Sequence, residues 1–395
     1  MDKAQLERKG YSVAALRELA RRRLPRVLFD MVDGAAGDEI TMRNNEAALA
    51  ALALVPTLLA GAPRRDQSIE LFGLRLPSPV IIGPTGFAGL LWPRAEIETA
   101  RAASRFGTIY STSHASLSSL EEIGAATPGP KWMQVFLYKD RGLTAEFAAR
   151  AAAAGYHGLI LTVDNQVVAG RDRDARNGTF FPLRWTPRRI IDFASRPGWL
   201  MRMRQTPSPS FANYIGRSSM AQFGPLMLEQ LDPDIGWSDV EWLRGQWRGP
   251  LILKGLLHPD EAREAIKRGA DGVIVSNHGG RQLDGAVASI RALPGIAEAV
   301  GGRAPVLIDG GFRRGVDVVK ALALGARAVL IGRPHLWGVA CAGEDGAYWV
   351  LELFRREIDR ALALGGWDGI AKLDRSIFFR RQPGGAERTS GAGGA

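Results

Sequence analysis

From residue 79 to residue 333 the chain repeats one unit eight times: a short apolar run, a glycine or polar residue at its end, then a stretch with helical spacing. The apolar runs fall at 79–83, 108–111, 132–136, 158–164, 251–255, 272–276, 305–311 and 328–333. Helical patterns follow at 95–106, 119–123, 143–154, 239–247, 259–268, 287–300, 314–324 and from 333 to about 365. Short runs of Val, Ile and Leu predict strands buried on both faces, and strands that alternate with helices predict a parallel sheet. Eight such units fit a closed barrel better than an open sheet. The predicted fold class is therefore α/β, a (β/α)8 TIM barrel.

The barrel is expected over 76–370, preceded by a helical prefix over 1–75. In the prefix, Ser12 caps a helix over 13–20, a second helix starts near Pro25, and Leu71 to Leu76 alternate about Gly73 as a hairpin. The connection after the fourth strand, 165–236, is far longer than the roughly 2–6 residues usual there. A tail over 371–395 is expected to be largely disordered, its small residues from 384 onward above all.

A 46% hydrophobic content over 395 residues supplies a sizeable core. The single cysteine, Cys341, excludes an internal disulfide framework, suits a reducing compartment and reads as a core residue of the apolar run at 336–340. The charged N-terminus lacks a signal-peptide pattern, and no run reaches the ~18 apolar residues of a spanning helix. A cytoplasmic protein is expected. The net charge of +10 suits acidic lipid, small anions or nucleic acid. Its arginines gather between Arg171 and Arg217 rather than in a basic tail, so no nucleic-acid partner is expected.

Thr85, Ser113, Gln134, Thr162, Asp164, Lys254, His278, Asp309 and Arg333 all fall at C-terminal strand ends, which would ring one mouth of the barrel. The stretch Ser276-Asn277-His278-Gly279-Gly280-Arg281-Gln282-Leu283-Asp284-Gly285 sets a histidine three residues before an arginine on a glycine loop. An imidazole can take a proton at neutral pH, and a guanidinium can hold a carboxylate through two parallel bonds, so the pattern suits an acid substrate. The simpler reading makes His278 a hydrogen-bonded core residue and Arg281 a surface charge. Lys254 suits stabilisation of negative charge on a reduced ring, or else a salt bridge; Asp164 suits orientation of His278, or else a loop cap. Glycines and arginines at 309–315 and 331–333 suit a phosphate-bearing cofactor.

Together with Pro84-Thr85-Gly86, Gln134, Leu161-Thr162-Val163-Asp164 and Leu253-Lys254-Gly255, these motifs resemble the FMN-dependent α-hydroxy-acid oxidase and dehydrogenase family over about residues 10–370. Within that family the chain resembles the mandelate dehydrogenase branch. The resemblance implies an FMN ring resting on Pro84, Thr85 and Gly86, with Ser113, Gln134 and Thr162 at its polar edge. It places Lys254 at the N1/O2 end with Ser276 nearby, and Asp309, Gly311, Arg313, Gly332 and Arg333 on the phosphate. It also implies His278 as base paired with Asp164, Arg281 and Arg171 on the substrate carboxylate, oxygen or a quinone as final acceptor, a homotetramer, and no metal.

Two tyrosines of that pattern are absent. Six residues after Leu24-Pro25 stands Met31, and two after Gln134 stands Phe136. Each missing phenol is worth about 1–3 kcal/mol where buried and charge-assisted. A bulky or aryl, mandelate-like 2-hydroxy acid is expected in the widened site. The alternatives are an amine-bearing substrate, Tyr138 swinging into the vacant place, or a flavin-barrel isomerase, which the 278–281 motif disfavours. A flavin scaffold that has lost catalysis is a further alternative. His114 is a further oddity, either beside the flavin or a partly exposed loop residue. In the long insert, Arg184, Arg188, Arg189, Arg196, Arg202 and Arg204 interleave with Trp185, Ile190, Ile191, Phe193, Trp199, Leu200, Met201 and Met203. That mixture suits contact with an anionic membrane surface through 176–217, on the cytoplasmic face, or else a lid or subunit interface.

Overall fold

The structure, a computed structural model, describes residues 1–61, 63–178, 183, 185–204, 211–214 and 229–379. Eight parallel strands close into a barrel: Val80–Ile82, Tyr110–Ser113, Lys131–Val135, Gly158–Thr162, Leu251–Leu256, Gly272–Val275, Val306–Ile308 and Ala328–Ile331. Closure comes from the last strand pairing with the first, Val329 against Val80 and Ile331 against Ile82. Their Val, Ile and Leu side chains are buried because helices cover the outside and side chains fill the inside. The predicted strand at 108–111 starts later: Ile109 and Thr108 bond the first strand as a lead-in, and the ladder runs from Tyr110.

Register sets the site. Ser113 pairs in level with Gln134, and Thr162 with Lys254, so polar residues from neighbouring strands reach the same height at the C-terminal mouth. After Lys254 the ladder slips at Gly255, whose φ of 115° only glycine adopts readily. A Cβ there would come within 2.8 Å of the Asp164 side chain. The glycine is what lets Asp164 lie against the fifth strand.

The prefix holds helices Lys3–Lys9, Val13–Arg23, Arg26–Asp33 and Ile40–Ala50, then the antiparallel hairpin Ile69–Leu71 with Leu74–Leu76. Ser12 Oγ accepts from Ala15 N at 3.1 Å, the cap its sequence predicts. Phe72 at the hairpin turn meets Trp132 edge-on at 5.9 Å, closing the barrel end opposite the mouth. The last long helix, Arg333–Gly365, breaks at Ala342 and Gly343 and packs on Val13–Arg23 and Ala95–Phe106. The tail departs from expectation over 371–379: Ile377 is buried and Phe378 bridges Leu54, because apolar residues there meet the prefix. Residues 380–395 lie outside the described residues.

Within the insert, helices Asp172–Asn177, Pro187–Ala194 and Pro197–Met203 are described. Phe193 and Trp199 pack edge to face at 5.3 Å and turn inward, while Trp185, Ile190, Ile191 and Met201 are exposed. Arg184 and residues 179–182, 205–210 and 215–217 of the basic, apolar stretch lie outside the described residues. No described helix is long and apolar enough to cross a membrane.

Candidate active site

At the C-terminal mouth the strand ends enclose a cavity of about 330 Å³. Pro84, Thr85, Gly86, Ser113, Gln134, Thr162 and Lys254 line it. His278, Arg281 and Arg171 also line it, as do Asp309, Gly311, Arg313, Gly332 and Arg333. Asp164 and Ser276 sit behind that surface. Asp164 Oδ1 meets His278 Nδ1 at 2.9 Å, and Ser276 Oγ accepts from the His278 backbone N at 3.0 Å and from Lys254 Nζ at 2.9 Å. His278 holds φ at 57°, a costly conformation for a non-glycine residue that is retained here because both bonds fix it.

Burial lowers the His278 pKa below the ordinary histidine value; the Asp164 charge opposes this, and the Lys254 charge adds to it. The imidazole is therefore unprotonated at physiological pH, with a ring nitrogen free to accept a proton. Burial works to raise the Asp164 carboxyl, but His278 and Lys254 outweigh it and hold it below its usual range. For Lys254, burial is outweighed by Asp309, 3.2 Å away, and by Asp164, and the ammonium is held charged.

Three guanidiniums converge beside His278. Arg281 Nη1 donates to the Met31 and Gly34 carbonyls at 3.0 and 2.9 Å, and Arg171 Nε to the Arg281 carbonyl at 3.4 Å. Burial, then the Arg171 and Arg333 charges, push the Arg281 pKa well below normal. Such crowding is relieved by an anion in the cavity. Arg333 spends N–H groups on the Val32, Gly279 and Gly34 carbonyls, which ties the prefix over the mouth, and burial takes its pKa to about 10. Arg313 holds Glu46 at 2.8 Å.

Three buried polar atoms on the residues that line this cavity have no partner among the described residues: Gln134 Nε2, Thr162 Oγ1 and Asp309 Oδ1. Orphaned groups of this kind are costly unless a ligand meets them. A flavin carries the carbonyl and N–H edge, the polyol and the phosphate that would satisfy two donors, a carboxylate and the Arg313 end. The residues present fit FMN.

Met31 and Phe136, which stand where the sequence lacks the expected tyrosines, both line the cavity, and with Val168 and Leu231 they add apolar side chains to its lining. Tyr138 does not take their place. Its hydroxyl lies fully buried behind Phe136, 2.8 Å from both His114 Nδ1 and Tyr214 OH. Nor is His114 a partly exposed loop residue: it is buried, lines the cavity and packs on Phe136 at 4.4 Å, and burial takes its pKa down to about 3. Sequence reasoning missed Asn45, whose amide pairs both ways with Asn277 at 2.8 Å, and Tyr214 in the insert. Neither carries a local signal, since each acts through a partner distant in the chain. It also missed Gln282 as a holder of the Asp164 carbonyl at 2.8 Å, though that residue sits in the glycine motif.

Comparison with known proteins identifies the family. The profile of the FMN-dependent dehydrogenase family matches residues 20–380. An L-lactate dehydrogenase of Caulobacter vibrioides is 43% identical over 377 residues, 94% of this chain and 98% of that protein. An L-lactate dehydrogenase of Pseudomonas syringae pv. syringae is 38% identical over 374 residues, 93% of this chain and 98% of that one. Among solved structures, the monotopic membrane protein (S)-mandelate dehydrogenase superposes with a TM-score of 0.90 at 37% identity, over 94% of this chain and 99% of that chain. A mandelate oxidase variant with (S)-mandelic acid superposes at 0.79 and 36% identity, over 92% and 97%. Motifs, barrel and mouth thus lead to one conclusion: the chain belongs to the FMN-dependent dehydrogenase family, the α-hydroxy-acid dehydrogenases.

Proposed function

We propose that this enzyme oxidises a bulky or aryl 2-hydroxy acid, mandelate-like, to the 2-oxo acid, with His278 as the base. The observation that carries the reading is the meeting of a neutral His278, braced by Asp164 at 2.9 Å, with the cations Arg281 and Arg171 in one cavity. The guanidiniums hold the substrate carboxylate, and His278 takes the proton released as the substrate is oxidised; Asp164 stabilises the imidazolium that results. Gln134, Thr162, Ser113, Lys254 and Ser276 hold the ring end of FMN, Pro84, Thr85 and Gly86 support its face, and Asp309, Gly311, Arg313, Gly332 and Arg333 hold its ribityl phosphate end. FMN, when bound, accepts the reducing equivalents. Met31, Phe136, Val168 and Leu231 supply apolar area for an aryl group, which favours mandelate over lactate.

A second reading, lactate as substrate, is favoured by the likeness to the L-lactate dehydrogenases. Measuring kcat/KM for (S)-mandelate and L-lactate separates them. A preference for mandelate of about tenfold or more, on the order of the 1–3 kcal/mol that an apolar pocket discriminates, supports the first. Equal or reversed values support the second. The exposed Trp185, Ile190, Ile191 and Met201 and the likeness to a monotopic enzyme support peripheral binding to the cytoplasmic membrane face, with a membrane quinone rather than oxygen as final acceptor. A homotetramer is the assembly proposed.

A further inference from the structure

Away from the mouth, a second cavity of about 220 Å³ opens where the insert helix Pro197–Met203 meets the end of the helix Val13–Arg23 and the last long helix at Cys341. Arg22, Arg23, Arg196 and Arg202 line it, and among the described residues no carboxylate does. Arg22 is already paired with Glu18 at 2.8 Å. The other three meet only uncharged partners among the described residues. Arg23 donates to the Cys341 carbonyl and reaches the Met1 sulfur at 3.4 Å. Arg196 Nε donates to the Leu24 carbonyl at 3.0 Å. Arg202 lies 4.7 Å from the Trp92 ring with its Nε buried and unpartnered.

Three arginines elsewhere on the molecule are neutralised by carboxylates. Arg105 holds Glu344 and Asp345, Arg150 holds Glu121 and Glu146, and Arg268 holds Glu241 and Glu264. Burial, with the Arg23 charge adding to it, lowers the Arg202 pKa, so the cavity works against the charge it contains. An anion with several oxygens removes that penalty.

We propose that this cavity binds a phosphate group, held by the guanidiniums of Arg23, Arg196 and Arg202. The guanidinium fork matches phosphate oxygens, and three forks around one small cavity exceed what a lone surface charge offers. The phosphate has two sources. Met201, on the same helix, is 70% exposed, which places an apolar contact beside the site as a phospholipid would use; free phosphate needs no such contact. The site is separate from the barrel mouth, and the proposal stands whichever hydroxy acid the enzyme oxidises.

The test uses the FMN-loaded enzyme at low salt. Inorganic phosphate is titrated by calorimetry, and sedimentation is measured with phosphatidylcholine vesicles with and without phosphatidylglycerol. Arg202→Gln and Arg196→Gln are compared with Arg188→Gln, which removes the same charge from an exposed residue of the insert outside the cavity. Retained flavin content reports that each variant is folded, and the two cavity variants guard against a defect in either. Loss of phosphate affinity by about tenfold in the cavity variants, and by less than about twofold in Arg188→Gln, supports a free-phosphate site. The same contrast with phosphatidylglycerol vesicles but no calorimetric phosphate binding supports a lipid headgroup. If the cavity variants and Arg188→Gln match in both assays, or wild-type enzyme binds neither probe, the proposal is overturned.

Discussion

His278 carries two constraints at once: a left-handed backbone that presents its ring to the cavity and a burial that keeps the ring neutral. Because its pKa is lowered, kcat/KM for the hydroxy acid should rise with pH through a limb below the ordinary histidine value of about 6.5 and be flat at neutral pH. Asp164 works against that lowering, so Asp164→Asn should move the limb to still lower pH while reducing kcat by about 10² or more. A pH profile of both enzymes checks it; a limb that moves upward in the variant contradicts it. Gly255→Ala tests the same pair through the backbone. Its new Cβ would press on Asp164 at 2.8 Å in a conformation alanine resists, so kcat should fall toward the Asp164→Asn value with flavin still bound. Single residues were legible where they end a strand, since the chain itself announces the position. Asn45 and Tyr214 were not, because each matters only through a partner that folding brings near, Asn277 and His114.

At the scale of elements, the barrel strands were legible because a run buried on both faces needs no partner to be identified. Their ends were less so: the second strand begins at Tyr110 rather than 108 because Thr108 and Ile109 bond the first strand before the ladder starts. The insert was legible only as a mixture of cations and apolar residues. Folding sorts that mixture, turning Phe193 and Trp199 inward and leaving Ile190, Ile191 and Met201 outside. Replacing those three with serine should reduce sedimentation with phosphatidylcholine vesicles at least fivefold and leave turnover of a soluble acceptor unchanged within about twofold. Unaltered sedimentation would remove the membrane role of this face.

Across the whole molecule, the prefix is part of the site rather than an appendage. Carbonyls of Met31, Val32 and Gly34 receive Arg281 and Arg333, so the mouth is completed by residues far ahead of the barrel. Stability should reflect the buried imidazoles. Burial sets His114 to about 3 and His335 to about 4, so the folded state refuses protons that the unfolded chain accepts below pH ~6.5. Folding free energy is then full above that pH and falls on acidification, by about 1.4 kcal/mol per pH unit for each histidine until its folded pKa is reached. Denaturant melts at pH 7 and pH 5 measure this, and replacing His335 with a neutral residue should shrink the difference.

The most direct test mixes the yellow holoenzyme with (S)-mandelate in the absence of oxygen and follows the flavin's visible absorption. Rapid bleaching by the wild-type protein, slowed by about 10² to 10⁴ in His278→Asn with FMN still bound, is the expected result. A protein that takes up no FMN, a spectrum unmoved by mandelate and by every other 2-hydroxy acid, or bleaching at the same rate without the imidazole would contradict it.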